Sequence, residues 1–321
     1  MRSALVQDWL AATEWSNWKR TPLAGDASAR RYERLFGPEN QSVILMDAPL
    51  ETCGSQSRFV EIADHLNQLS LAAPTVLAWS EVDGLVVLSD LGEVDFARHL
   101  VAAPQDESAL YSSTVEVLKT LQAAPPPSGL SKMTPDVGAE MIGLAFEWAA
   151  KDPSVDLAAD ITAKIHALLI EVDPNPSVLS LRDFHAENLI WRPTESGASR
   201  IGLLDFQDAF VTHPTYDLAS LLRDARRDVN PNLLNPLIRQ LAGDDHDFDD
   251  LKHAFHVMAI QRNLRILGIF NRLAKLDGKM SYLKLVPRVW GHLQTDLAES
   301  GLSDLARLVE RAFGPTENNL V

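Results

Sequence analysis

The spacing of apolar positions changes character near residue 90. Before that point, short strand-like runs at 30–35, 43–46, 76–79 and 85–88 read as β-strands, and Val82-Asp83-Gly84 supplies a hairpin turn between the last two. A helix is predicted at the start, over 3–18, and a second where Phe59, Ile62, Ala63, Leu66 and Leu69 recur at three- and four-residue spacing. After residue 90 the spacing is helical over 106–123, 136–150, 156–172, 215–228, 231–242, 247–275 and 281–297. Three short apolar runs at 178–181, 189–191 and 201–204 interrupt it, and an Ala-Pro cluster at 123–128 separates two helices. The pattern predicts an α+β, bilobal chain: a small N-terminal antiparallel-sheet lobe over 1–90 and a larger, mostly helical lobe over 91–321, hinged at Asp90-Leu91-Gly92.

Composition narrows the function classes. The 321 residues are 46% hydrophobic, enough for a packed core, which excludes a disordered or fibrous chain. With 44 acidic against 29 basic side chains the net charge is −15, so a nucleic-acid backbone is not the expected partner. Cys53 is the single cysteine; it cannot form an internal disulfide and fits a reducing, cytoplasmic setting. No segment approaches the roughly 18 uninterrupted apolar residues of a membrane span, so no membrane partner is expected. The expected assembly is a monomer or weak dimer. Five Asp residues within 244–250 lack the Gly and terminal Glu of a calcium loop and read as a helix start.

The chemistry is concentrated in Leu181-Arg182-Asp183-Phe184-His185-Ala186-Glu187-Asn188 and, one hairpin later, Leu204-Asp205-Phe206. Arg-Asp-x-x-x-x-Asn followed by Asp at the end of the next strand is the spacing that kinase phosphoryl transfer uses. A carboxylate, Asp183, orients the acceptor hydroxyl and takes its proton; an amide oxygen, Asn188, and a carboxylate, Asp205, are hard oxygen ligands suited to Mg²⁺. A hairpin brings Asn188 and Asp205 to the same end of two neighbouring strands. The bland alternative is a loop that uses Asp and Asn as turn formers. Three residue types, two spacings and the strand context weigh against it.

These residues resemble the aminoglycoside phosphotransferase and choline kinase family, whose fold is protein-kinase-like. The family pattern His-Gly-Asp-x-His-x-x-Asn followed by Ile-Asp-(Phe/Trp) falls on 181–188 and 204–206, and Pro214-Thr215-Tyr216-Asp217-Leu218-Ala219 is similar to its next helix. The resemblance implies that Asp217 braces the loop from below. The 25–32 segment, Met46-Asp47-Ala48-Pro49, Asp205-Phe206-Gln207-Asp208-Ala209 and the 261–270 segment resemble a bacterial branch whose members phosphorylate the anomeric hydroxyl of the cell-wall amino sugars N-acetylmuramate and N-acetylglucosamine. The resemblance implies an ATP- and Mg²⁺-dependent kinase of a small molecule, most simply of such a sugar hydroxyl. Gly25, Ser28, Arg30 and Arg31 would approach the phosphates, Leu88, Asp90 and Leu91 the adenine, and Arg182, Asp208, Arg226 and Arg262 the acceptor. By its residues alone the 223–228 cluster reads as a network of surface ion pairs; if that helix faces the cleft, Arg226 or Arg227 would meet an anionic group of the substrate.

Three departures stand out. Leu181 and Arg182 replace the family's His-Gly, and Gln207 replaces the Gly of Asp-Phe-Gly. Met46 occupies the place of the sheet-lobe lysine, with no Lys between Lys19 and Lys119. Arg30 or Arg31 is the expected substitute, with Arg31 expected on the inward face, because neighbouring strand residues face opposite ways. Aminoglycoside, choline and homoserine kinases are the alternatives within the enzyme class. A nucleotide-binding pseudokinase is the alternative outside it, favoured by Met46 and opposed by the intact Asp183, Asn188 and Asp205.

Overall fold

The computed structural model describes residues 2–23, 29–152, 154–244 and 247–314. Its strands are β1 (Lys19–Pro22), β2 (Arg31–Phe36), β3 (Ser42–Asp47), β4 (Val76–Ser80), β5 (Leu85–Ser89), β6 (Val178–Ser180), β7 (Leu189–Trp191), β8 (Ile201–Leu203) and β9 (Phe210–Thr212). The helices are α1 (Arg2–Ala11), α2 (Leu50–Cys53), α3 (Ser57–Gln68), α4 (Phe96–Ala102), α5 (Glu107–Ala123), α6 (Pro135–Glu140) and α7 (Gly143–Trp148). They continue with α8 (Val155–Val172), α9 (Tyr216–Leu222), α10 (Leu234–Ala242), α11 (Phe248–Lys275), α12 (Val286–Glu299) and α13 (Ser303–Phe313). Two compact units result: Met1–His99 with Glu187–Gln207, and Leu100–Ala186 with Asp208–Val321. A sheet-rich first unit and a mainly helical second one form the α+β architecture that the spacing predicts.

In the first unit an antiparallel sheet runs in the order β1-β2-β3-β5-β4. Directly paired residues share a face, so the register Glu33↔Leu45, Leu35↔Val43 and Leu45↔Val87 builds one apolar face. Val6, Leu10 and Trp15, from α1 and the turn after it, cover that face against Leu35, Val43, Leu45, Leu85 and Val87. Each such buried aliphatic side chain contributes about 1.5–3 kcal/mol. The opposite face carries Tyr32, Arg34, Ile44, Met46, Val86 and Leu88, from the pairs Tyr32↔Met46, Arg34↔Ile44, Ile44↔Leu88 and Met46↔Val86.

The β7–β8 hairpin belongs to this unit because its backbone is tied there. Trp191 N–H donates to the Val94 carbonyl at 2.8 Å, and Leu203 N–H to the Ala72 carbonyl at 2.8 Å. Phe206, just past β8, stacks on Phe59 of α3 with ring centroids 5.0 Å apart. Gly202 is a contact glycine: a Cβ there would lie 3.0 Å from both the Ile190 Cβ and the Leu91 Cδ1. The missing side chain lets the predicted hinge residue Leu91 rest on the hairpin.

The second unit is organised around α11, in which every residue from 254 to 268 is buried. A helix buried on all sides has no polar face to give away its orientation, and this one holds Gln261, Arg262, Asn263 and Arg265 among its buried residues. Each needs an internal partner or a ligand; Gln261 Nε2, for one, donates to the Gly138 carbonyl at 2.8 Å. Gly268 is required by close approach, since a Cβ there would meet the Leu144 carbonyl carbon at 2.3 Å. The Asp-rich segment caps α11: Asp247 Oδ1 accepts from the N–H groups of Asp249 and Asp250 at 2.8 and 3.2 Å. Among the described residues no helix is long and apolar enough to cross a membrane.

Candidate active site

In the second unit β6 delivers the chain into the Leu181-Arg182-Asp183 turn. The turn is shaped from below by Asp217, a buried residue in the first turn of α9. Its carboxylate accepts from Ser180 Oγ at 2.6 Å, Leu181 N–H at 2.8 Å and Arg182 N–H at 3.1 Å. Burial pushes the Asp217 pKa up to about 6, while these three donors pull it down. The brace explains how Arg182 holds a φ of +71°, a region that a side chain adopts only under constraint.

Asp183 follows, half-buried, with its N–H donating to the Leu181 carbonyl at 2.8 Å and its carbonyl accepting from His185 N–H at 3.1 Å. His185 is buried, and Arg226 Nη1 lies 3.4 Å from its Nε2. Desolvation, reinforced by the charges of Arg226 and Arg262, pushes the His185 pKa well below 6.5, so the ring is neutral at physiological pH. Arg262, on α11, interacts electrostatically with Asp183, Tyr216 and Asp224. The second unit thus gathers Asp183, Arg182, Arg226 and Arg262. Arg227 is committed elsewhere, to Glu107 at 2.8 Å and the Tyr111 hydroxyl at 2.6 Å. Asp208 is exposed.

The first unit gathers the other half of the motif. The turn at Ala186–Asn188 leads into β7, and the Leu204 N–H donates to the Asn188 carbonyl at 3.0 Å, extending the β7–β8 ladder by one step. That bond sets Asn188 opposite Leu204, the residue before Asp205, at one end of the hairpin. Asp205 is exposed, has a φ of +57°, and accepts from Gln207 Nε2 at 2.6 Å. An amide oxygen and a carboxylate are a suitable donor pair for a hard cation whose other ligands are phosphate and water oxygens. Among the described residues no group of three or more His, Cys, Asp and Glu could hold a metal on its own. Asn188 and Asp205 fit a hard cation that takes its remaining ligands from phosphate and water oxygens.

The Met46 face of the sheet turns toward the same chemistry. Burial pushes the Tyr32 phenol up to about 12, and both Arg30 and Asp205 act on it electrostatically. Arg30 Nε also donates to the buried Gln56 Oε1 at 3.2 Å. Arg31, in contrast, pairs with Asp47, one residue past Met46, and shares the face covered by α1. The expectation that Arg31 is the inward arginine does not hold, because the ladder begins one residue out of step with it. Gly25 and Ser28 lie outside the described residues.

Sequence reasoning missed Arg34. It is buried on the Met46 face, donates to Asp90 Oδ2 from Nε at 2.6 Å, to Asp90 Oδ1 and the Gly92 carbonyl from Nη2 at 3.1 Å each, and pairs with Glu93. Breaking a buried pair of this kind costs about 3–5 kcal/mol, since a charge is left uncompensated. Asp90 is thus held by an arginine, and its Oδ1 accepts from the Gly92 N–H at 2.9 Å. Leu88 and Leu91 flank this clamp, one on the Met46 face and one against Gly202. The only signal in the sequence was an Arg in the middle of an otherwise strand-like run. Glu61, with no lysine partner in reach of sequence, pairs instead with Arg58 at 2.7 Å.

A sheet unit and a helical unit that share one Asp-x-x-x-x-Asn…Asp motif define a kinase-type phosphotransferase. The sequence matches the phosphotransferase enzyme family over residues 19–252, and the chain belongs to that family. Among its relatives, a protein of Caulobacter vibrioides named N-acetylmuramate/N-acetylglucosamine kinase is 35% identical, over 98% of this chain and 98% of its own. Solved structures agree on the fold. A choline/ethanolamine kinase family protein from Mesorhizobium loti superposes with a TM-score of 0.67 at 13% identity, over 97% of this chain and 99% of its own. An ADP-bound aminoglycoside phosphotransferase superposes with a TM-score of 0.60 at 14% identity, over 92% of this chain and 96% of its own. The protein is an enzyme, and its family uses ATP and a divalent metal.

Proposed function

We propose that the chain is an ATP- and Mg²⁺-dependent kinase that phosphorylates the anomeric hydroxyl of N-acetylmuramate or N-acetylglucosamine. The observation that carries this reading is the 35% identity to the Caulobacter vibrioides kinase over essentially the full length of both proteins. The intact Asp183, Asn188 and Asp205 support it. In this reading the first unit takes the nucleotide and the second the acceptor; the first unit is not the 1–90 segment expected from sequence but Met1–His99 together with Glu187–Gln207, which brings Asn188 and Asp205 into it. Cytoplasm is the proposed compartment, with a small sugar as partner and a monomer or weak dimer as the assembly.

Asp183 orients the acceptor hydroxyl and receives its proton. An anomeric hydroxyl is more acidic than an ordinary alcohol, so its deprotonation asks less of a carboxylate, and positioning supplies much of the rate. Asn188 and Asp205 hold the metal, which when bound neutralises charge on the nucleotide phosphates. Arg30, on the Tyr32 side of the sheet, takes the place of the absent lysine. Arg34 holds Asp90 and Gly92, so that Leu88 to Leu91 present a fixed backbone edge to the adenine.

The test is ATP consumption by the purified protein with a panel of free sugars, aminoglycosides, choline and homoserine, each with and without Mg²⁺. Mg²⁺-dependent turnover with the two N-acetylated amino sugars and none with the other acceptors is the expected result. Turnover confined to choline, homoserine or an aminoglycoside overturns the reading.

A further inference from the structure

The second unit brings Arg226, Arg262 and Arg265 into one buried neighbourhood, in which Arg226 and Arg262 both act on His185. Arg262 and Arg265 lie three residues apart on α11, within the stretch that is buried throughout, at 6% and 9% exposure. Neighbours at this spacing share a helix face, and the charge of Arg265 acts against that of Arg262. Arg226 approaches from the segment after α9, with Nη1 3.4 Å from the neutral His185. The carboxylates acting on Arg262 are those of Asp183 and Asp224. Asp224 Oδ1 already accepts from the Arg226 N–H at 2.8 Å.

Two of the buried atoms here that make no hydrogen bond to the described residues carry charge. Arg262 Nη1, a charged donor, makes no hydrogen bond to the described residues, and neither does Asp224 Oδ2, a charged acceptor. A buried charged group without a partner costs several kcal/mol, so such atoms mark a place where a ligand completes the set. A ligand with a carboxylate for the arginine and a hydroxyl for the aspartate satisfies both. N-acetylmuramate differs from N-acetylglucosamine by a lactyl ether that ends in a carboxylate.

We propose that Arg262, assisted by Arg226, binds the lactyl carboxylate of N-acetylmuramate and sets the preference for that sugar over N-acetylglucosamine. This assignment rests on the amino-sugar reading above. The same arginine charge could serve the transferring phosphoryl group, which is common to both sugars, and the comparison between sugars separates the two sources of negative charge.

The experiment measures kcat/KM for both sugars at saturating Mg²⁺-ATP, in the wild-type protein and in Arg262→Gln, Arg262→Lys and Arg226→Gln. A charged hydrogen bond to a carboxylate corresponds to roughly 10- to 150-fold in affinity. Arg262→Gln is expected to lower the N-acetylmuramate to N-acetylglucosamine ratio by about that factor, chiefly through KM, and Arg262→Lys to recover part of it. Arg226→Gln is expected to lower it by less. An unchanged ratio overturns the proposal, whether both sugars lose turnover together, as a phosphoryl contact would require, or neither does. Should the Arg262 variants fail to fold, the methyl ester of N-acetylmuramate tests the same contact on the wild-type protein: a similar loss relative to the free acid supports it, and equal turnover overturns it. Wild-type protein that turns over neither sugar overturns the amino-sugar reading itself, and is recognised before any variant is made.

Discussion

Asp183→Asn is expected to lower kcat by about 10²- to 10⁴-fold while leaving Mg²⁺-ATP affinity close to that of the wild type. The substitution keeps the size and one acceptor oxygen of the side chain and removes its ability to take a proton, and loss of a positioned general base costs in that range. The turn around it is held through backbone groups, by Asp217 on Leu181 and Arg182 and by the Leu181 carbonyl on Asp183 N–H. A change confined to the Asp183 side chain therefore leaves that geometry in place. Rapid-quench measurement of a single turnover separates the chemical step from product release. Near-normal turnover in the variant would remove Asp183 from the role of base.

The second large effect is expected at Asp205. Asp205→Ala deletes the charged member of the Asn188–Asp205 pair, and Mg²⁺-dependent ATP binding should fall by about 100-fold or more. Groups that merely orient a metal ligand are worth 10- to 100-fold in affinity, and a direct ligand exceeds them. Because Asp205 has a φ of +57°, Asp205→Asn is the better companion, since Asn tolerates that region and differs mainly in charge. Titration calorimetry with ATP, in the presence and absence of Mg²⁺, reads the effect directly. Equal affinities in wild type and both variants would take Asp205 out of the metal site. The two variants also differ in kind: one loses the rate with the nucleotide still bound, the other loses the bound metal-nucleotide.

Much of the first unit was legible because β2, β3, β4 and β5 read as short strand-like runs, and those of β3 and β5 stay apolar at successive positions because Leu45, Met46, Val86 and Val87 are buried on both faces of the sheet. β1 was not, since Lys19-Arg20-Thr21-Pro22 has no apolar alternation and becomes a strand only by pairing with β2 at the sheet edge. The pairing of β2 was equally hidden. Alternation says that Arg30 and Arg31 face opposite ways, but only the register Tyr32↔Met46 says which of them shares the methionine's side. The predicted first helix ends early, at Ala11, so that Trp15 can turn into the core beneath the sheet.

In the second unit, helix positions were largely readable and helix ends were not. The stretch 215–228 stops being helical at Leu222, where Arg223 turns to make a two-pronged pair with the fully buried Asp296 of α12, Nε and Nη2 reaching its oxygens at 2.8 and 2.6 Å. That partner lies 73 residues further on, beyond the reach of local spacing. β9 is three residues long and exists through its pairing with β6. α13 does carry an amphipathic stripe, Leu305, Val309 and Ala312, yet it was not predicted. The candidate site divides in the same way. Asp183, Asn188 and Asp205 follow from local spacing, whereas the Arg34 clamp on Asp90 and the charge of Arg262 near Asp183 depend on long-range packing.

The central claim concerns one new bond, between phosphorus and the anomeric oxygen of an N-acetylated amino sugar. Its most direct test is phosphorus and proton magnetic resonance of the product formed from N-acetylmuramate, ATP and Mg²⁺ by the wild-type protein. The account predicts that the anomeric proton is split by coupling to phosphorus and that the reducing end of the sugar is lost. A phosphate on the primary hydroxyl, with the reducing end still free, would contradict it.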